Sequence, residues 1–397
     1  MAFYKDKDRN RKKIILIASY RPRDCGIATF SEDLVNSLES LDDNIEVNII
    51  AINEPARKKC RYSSQIKLEI EQENLQNYNR AVEYINSSDA MIVNIQHEYG
   101  LFGGKDGEFV VNLVKQVHKP VVVTLHTVLT KPSLQQKEIL RTLAECCDAI
   151  VVMAEAAVAI LAKNYNIPDD NIIMIPHGVP ETDFENQISA KKQLRIERHT
   201  VLSTFGLIGP GKGLEYAIEA LPKIKLSHPE VKYFILGRTH PNLISDGHDW
   251  YREKLLSKIS DLNLDNDVCF VNRFLSIDEI ISYLKATDIC LTPYLNAQQI
   301  TSGTLAYALS TGRVCISTPY VYAKELLKDG HGKIIPFRDS DAIAKSVLEY
   351  LNDSSKQVKT ERSNYVYTRN MTWRNIAKSY SKLFNKVSLR RTKHEPK

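Results

Sequence analysis

Short runs of consecutive apolar residues alternate with helix-length segments along almost the whole chain. In the first half the runs are Lys13–Ser19, Ile45–Ile52, Ala90–Ile95, Pro120–Leu125, Ala149–Met153 and Asn171–Ile175. They are continuous and rich in β-branched residues, with no in–out alternation, which is the pattern of parallel strands covered on both faces. Between them, segments such as Ala28–Leu41 and Gln136–Ala144 are predicted as helices. The second half repeats the scheme with Thr200–Phe205, Val231–Leu236, Val268–Val271, Ile289–Thr292, Val314–Ser317 and Lys333–Pro336. Two successive sets of strand–helix units predict an α/β protein of two doubly wound, Rossmann-like domains.

The break falls near Pro176–Arg195, where Pro176, Gly178 and Pro180 interrupt regular structure and a charged segment follows. Domains are therefore expected over residues 1–180 and 181–371. Thr372–Phe384, with Trp373 and Tyr380, reads as a closing amphipathic helix that leads into a basic tail over 372–397. Sheets of this kind bind ligands beyond the carboxyl ends of their strands. The chemistry is therefore sought at those ends.

At 397 residues the chain is long enough for two cores, and 43% hydrophobic with 25% charged residues is ordinary globular composition. A net charge of +5 is too small to argue for a nucleic-acid partner. Much of the excess sits in Lys5–Lys13 and Arg390–Lys397, as solvated termini or as a weak peripheral attraction to an anionic membrane surface. Seven cysteines lack any CxxC or Cys/His ligand spacing, and Cys290 and Cys315 lie inside apolar runs, which fits a reducing compartment. The first apolar run, Ile14–Ala18, is too short for a signal or a membrane span, so a cytoplasmic location is expected.

After Thr200–Phe205 comes Gly206-Leu-Ile-Gly209-Pro-Gly211-Lys212-Gly213, then a helix from Leu214. A glycine-rich loop at a helix N-terminus offers bare N–H groups and the positive end of the helix dipole to an anion, and Lys212 adds an ammonium. An ordinary strand–helix turn is the alternative. The spacing matches a P-loop except for its last letter: Gly213 stands where the magnesium-binding hydroxyl belongs, which argues against a nucleoside triphosphatase. Gln299, Thr301, Ser302, Gly303 and Thr304 precede a second helix, Leu305–Ser310, as further phosphate ligands or as plain capping. Two anion-suited helix ends fit a diphosphate. In the first half, Asp24 to Thr29 reads as a tight turn in which Gly26 can let a substrate approach the backbone. His97 and Glu98 follow the third run and His126 the fourth, so polar groups stand at consecutive strand ends. They are candidates for acid–base or orienting roles, though each histidine can equally be structural. His177 reads as structural. No Asp-x-Asp ends an apolar strand, so no metal site and no cofactor is predicted, and fixed cations would neutralise a leaving diphosphate.

In its order of parts the chain resembles glycosyltransferase family 4, retaining enzymes of GT-B fold that include phosphatidylinositol mannosyltransferases. The resemblance rests on the Gly26 turn, Thr124-Leu125-His126-Thr127, Ile175-Pro176-His177-Gly178-Val179, Gly211-Lys212-Gly213-Leu214 with Ala217 and Ala220, and Ala306–Ser317. It implies two domains facing across a cleft, with His126 near the reacting sugar and its ring toward the cleft. It further implies Gly26 at the acceptor, with Asp24 a candidate from the same turn, and Lys212 at the donor diphosphate, with Gly209 and Gly211 candidates from the same glycine loop. The family's arginine before that lysine is replaced by Ile208 or a neighbour, and its Glu-x7-Glu pair falls on Gln299 and Tyr307. Tyr307 would then contact the nucleotide or the sugar.

The reaction expected from this resemblance is transfer of a sugar from a nucleoside-diphosphate donor to a hydroxyl of a carbohydrate or glycolipid, metal-independent and with retention. GDP-mannose is the first donor expected and UDP-glucose the second. The rival readings are a disaccharide phosphorylase of the same fold and a non-catalytic sugar-nucleotide sensor.

Overall fold

A computed structural model describes residues 11–54, 62–240, 243–245 and 247–392. Cys60 and most of both basic ends lie outside the described residues. The chain forms two compact units, Met1–Gly178 with Met371–Lys397, and Val179–Asn370.

The first unit is built on seven parallel strands: β1 (Lys12–Ala18), β2 (Ile45–Asn53), β3 (Ile66–Glu71), β4 (Ile92–His97), β5 (Val121–Leu125), β6 (Ala149–Val152) and β7 (Ile172–Met174). Their spatial order is β3-β2-β1-β4-β5-β6-β7, so the direction of winding reverses between β1 and β4. Five of the six expected runs became central strands, and Asn171–Ile175 became β7, the partly buried edge strand opposite β3. β3 was not expected, because as an edge strand it buries little and reads as alternating Ile-Lys-Leu-Glu-Ile-Glu. One core layer packs helix Gly26–Glu39 and the C-terminal helix Trp373–Thr392 over the sheet. Phe30 and Leu34 meet Trp373, Ile376, Ala377, Tyr380 and Phe384 there. The C-terminal helix runs eight residues past its expected end at Phe384.

The second unit carries β8 (Thr200–Phe205), β9 (Val231–Leu236), a short hairpin of β10 (Ile244–Ser245) and β11 (His248–Asp249), then β12 (Val268–Val271), β13 (Ile289–Thr292), β14 (Val314–Ser317) and β15 (Gly332–Ile334). Its main sheet runs β12-β9-β8-β13-β14-β15, all parallel, with the reversal between β8 and β13. Helix Leu214–Lys225 buries Leu214, Ala217, Ile218, Leu221 and Ile224 against it. Six cysteines among the described residues are free thiols, and Cys290 and Cys315 are fully buried on adjacent strands. Among the described residues no helix is long and apolar enough to cross a membrane.

Candidate functional site

In an open parallel sheet the crevice for a ligand opens where the strand order reverses, because the helices leaving the two central strands diverge to opposite faces. In the second unit that point is the gap between the ends of β8 and β13. Gly206, with φ +118°, turns the chain out of β8, and a side chain at Gly237 would lie 2.2 Å from the Gly206 carbonyl oxygen. Ile208 bridges Thr239 beyond β9, followed by a single 3₁₀ turn, Pro210–Lys212. Gly213 then adopts φ +62° with the Pro293 carbonyl oxygen 2.1 Å from where a Cβ would sit, so glycine is required on two counts before the helix starts. Gly211 faces open space and Gly209 is extended. The loop is thus pinned to the end of β13 while its outer peptides stay uncovered.

Lys212 lies inside this loop. Its ammonium sits 3.8 Å from the centre of the Tyr294 ring, and no carboxylate among the described residues pairs with it. Burial lowers its pKa from 10.5 to about 8. A half-buried cation with an aromatic face on one side and no counter-ion is arranged to receive an anion. Thr304 stands over the same loop, donating to the Phe205 carbonyl at 3.4 Å, and a Cβ at Gly206 would be 3.5 Å from its hydroxyl.

The segment before helix Gly303–Ser310 divides. The Ser302 hydroxyl caps the helix by accepting from Leu305 N–H at 3.2 Å and is buried, which is the capping alternative. Thr301, Gly303 and Thr304 stay partly exposed at the helix start. The Gln299 amide donates to the Thr301 carbonyl at 3.0 Å, leaving its oxygen as an acceptor. Tyr307, expected at the nucleotide, is 6% exposed and packs 6.3 Å from the Phe205 ring, on the inward face of its helix. The structure does not bring it to the loop surface. Ile208 is buried, so it supplies no cation; Arg238, just beyond β9, is held next to the loop through the Ile208 N–H to Arg238 carbonyl bond of 2.9 Å.

In the first unit the reversal lies between β1 and β4. The expected turn at Asp24–Thr29 is in fact the start of helix Gly26–Glu39, capped by the Cys25 thiol, which accepts from Ala28 N–H at 3.3 Å. Gly26 is exposed, with nothing within 4 Å of where a Cβ would sit, and Asp24 flanks it half-buried. At the end of β4, Glu98 accepts from the Thr127 hydroxyl and from Tyr99 N–H; burial nevertheless raises its carboxyl pKa above the usual range. His126, next after β5, is 7% exposed and stands edge-on to Phe30 at 4.9 Å, beside His177 and Trp373. Burial, with His177 and His97 nearby, lowers its pKa to about 3, so it is a neutral imidazole at ordinary pH. Its Nε2 lies 2.8 Å from Gln96 Oε1.

His97 corrects the sequence reading. It is fully buried, with its ring between Tyr99 and Phe102, and neither ring nitrogen is open to solvent or hydrogen-bonded among the described residues. Burial lowers its pKa to about 3. It can support the Glu98 loop but cannot reach a ligand. His177 is the structural residue expected: its Nδ1 meets the Gly178 carbonyl at 2.7 Å, and Trp373 fills the space where a Gly178 side chain would stand. The sequence alone assigned no role to Asn94, Gln96 and Thr124, polar residues inside buried β4 and β5. Their signal was a two-residue polar period within otherwise apolar runs.

Comparison with known proteins adds the following. The profile described as "Glycosyltransferase Family 4" matches residues 26–183, and that described as "Glycosyl transferases group 1" matches residues 199–353. A phosphatidyl-myo-inositol mannosyltransferase of Mycolicibacterium smegmatis is 26% identical over 242 residues, covering 59% of this chain and 56% of that protein. An uncharacterised glycosyltransferase of Methanocaldococcus jannaschii is 22% identical over 243 residues, covering 60% of this chain and 59% of that one. The chain thus spans less than two thirds of either relative's length. Among solved structures, Anabaena HepE in complex with UDP and glucose superposes with TM-score 0.74 at 14% identity, covering 95% of this chain and all (100%) of that one. Sucrose-phosphate synthase of Thermosynechococcus elongatus gives TM-score 0.74 at 17% identity, covering 95% and 99%. At these identities the structural likeness is one of fold.

Proposed function

We propose, from the premise that the chain belongs to the family 4 glycosyltransferases of GT-B fold, that it moves a sugar from a nucleoside-diphosphate donor to a hydroxyl acceptor, with retention and without a metal ion. The observation that carries this reading is Lys212, a half-buried ammonium without a carboxylate partner among the described residues, in an open glycine loop at the start of a twelve-residue helix. As the bond from the anomeric carbon to the phosphate oxygen breaks, negative charge gathers on the leaving diphosphate. Lys212 and the peptides around Gly209 and Gly211 would meet that charge without rearranging, and the Thr304 hydroxyl would join them by turning its proton from the Phe205 carbonyl. The acceptor oxygen bonds the anomeric carbon, and its proton passes to the leaving phosphate. Glu98, a carboxyl of raised pKa fixed by Thr127, would orient or assist that hydroxyl. Gly26 and Asp24 supply the exposed edge for the acceptor, a carbohydrate or glycolipid.

Mannose, as in the first expected donor GDP-mannose, is supported by the mycobacterial relative's being a mannosyltransferase, and a uridine donor by the UDP and UDP-glucose complexes of the structural neighbour HepE. The test is release of nucleoside diphosphate from a panel of nucleotide sugars in EDTA, with and without acceptor sugars. Turnover of one donor is expected. If no donor is turned over or bound, the transferase reading fails. Phosphate-dependent cleavage of a disaccharide would replace it with the phosphorylase.

A further inference from the structure

We infer that Asn94 and Gln96 form a one-way chain of amides that fixes His126 as the imidazole protonated on Nε2. Its Nδ1 is thereby an acceptor reserved for a ligand hydroxyl. The chain starts at a group that can only accept, the Val122 carbonyl on β5, paired in register with Asn94 on β4. Asn94 Nδ2 lies 3.1 Å from that oxygen and 3.4 Å from Thr124 Oγ1, so the amide nitrogen must face them. Its Oδ1 is therefore turned the other way, 2.6 Å from the Gln96 side-chain nitrogen. An oxygen there needs a donor, which sets the Gln96 amide in turn. Gln96 Oε1 then faces His126 Nε2 at 2.8 Å, and because that oxygen only accepts, the proton belongs on Nε2.

No alternative orientation satisfies the chain. Turning over the Asn94 amide sets its oxygen against the Val122 carbonyl, and turning over Gln96 alone sets two oxygens face to face. Asn94, Gln96 and Thr124 are fully buried, so water cannot mediate a reversal. Thr124 Oγ1 is itself tied to the Tyr380 hydroxyl at 3.0 Å, which anchors the chain to the C-terminal helix. The remaining nitrogen, Nδ1, is not among the enclosed, unpartnered nitrogens of the fold, unlike both nitrogens of His97. A neutral ring presenting only a lone pair selects a hydroxyl. A carbonyl or phosphate oxygen is rejected, because acceptor would meet acceptor. Gln96 and Asn94 are positioning residues, acting on the ligand through His126.

The tautomer stands on the hydrogen bonds alone; that the hydroxyl belongs to a sugar rests on the transferase reading. The test uses the full chain with ¹⁵N-labelled imidazoles, the His126 signal being assigned by its loss in His126→Gln. The nitrogen shifts report which ring atom carries the proton. Wild type is expected as the Nε2–H form, with Gln96→Leu and Asn94→Leu admitting the other tautomer. Turnover should fall at least about tenfold in both variants while donor affinity stays within about threefold, since an orienting contact acts on the reacting step. Wild type in the Nδ1–H form overturns the inference even if neither variant folds. An unchanged tautomer in a folded Gln96→Leu protein overturns it as well. Should no nucleotide sugar be turned over, the tautomer still decides the amide chain, and the transferase reading alone is lost.

Discussion

Replacing Lys212 with methionine separates a binding cation from a structural one. Methionine keeps an apolar stem over the Tyr294 ring but removes the charge. The pKa of Lys212 falls from 10.5 to about 8, and each tenfold change in proton affinity is worth about 1.4 kcal/mol. A fully dry ammonium would thus cost about 3 kcal/mol; Lys212 is only half-buried, so about half of that is the better figure. The cation–π contact with Tyr294 offsets about 1–2 kcal/mol. The two nearly cancel, so Lys212→Met is expected to leave the stability of the unliganded protein within about 1 kcal/mol of wild type. Binding should behave otherwise. A charge-assisted contact to phosphate is worth about 1.5–3 kcal/mol, which weakens nucleoside-diphosphate affinity by about 10- to 150-fold. The pH dependence follows from the sign of the shift. Below about pH 8 Lys212 is charged in the folded state and the burial cost is fully present. From there up to about 10.5 the unfolded chain binds more protons, so this contribution to stability rises with pH. Affinity for the diphosphate should fall across the same window, and Lys212→Met should abolish that fall. Calorimetry and denaturant melts read both quantities. A variant that loses about 2 kcal/mol or more of stability while binding is unchanged would show Lys212 to be a core cation and refute the reasoning.

His126→Ala should lower turnover by about 10²-fold with donor affinity nearly intact, as for a contact made mainly in the transition state; equal turnover in a stopped assay would return it to a packing role. Glu98 has a raised pKa, so activity that needs its ionised form should decline on the acid side at a higher pH than an ordinary carboxylate would give. Glu98→Gln should remove that limb from the pH–rate profile, and an unaltered limb would exclude Glu98 as its source. Gly213→Ala combines a strained φ with a 2.1 Å approach to the Pro293 carbonyl, so nucleotide affinity should drop more than tenfold, measured by calorimetry. Gly178→Ala drives a methyl to 2.3 Å from the Trp373 ring and should lower the melting temperature without touching the Lys212 loop.

Strands buried on both faces were legible because their apolar residues run on with few interruptions, Asn94, Gln96 and Thr124 among them, and the two winding sets followed from that pattern. Edge strand β3 was not, since one exposed face turns the apolar run into an alternation. At the site, Gly206 to Gly213 and Glu98 were legible as breaks in regular structure at strand ends. Burial was the quantity the sequence withheld. His97 and His126 read alike, yet one ends enclosed by Tyr99 and Phe102 of the loop after β4, and the other is bonded through one nitrogen to Gln96 and keeps the second out of the enclosed set. Tyr307 was displaced for a related reason: its place on a short helix faces Phe205, and helical phase decides that.

The most direct test of the account is titration of UDP, GDP and ADP into wild-type protein and Lys212→Met by calorimetry in EDTA. The account predicts single-site binding of one nucleoside diphosphate to wild type, weakened at least about tenfold in the variant. Absence of binding to wild type, or equal affinity in the two proteins, would contradict it.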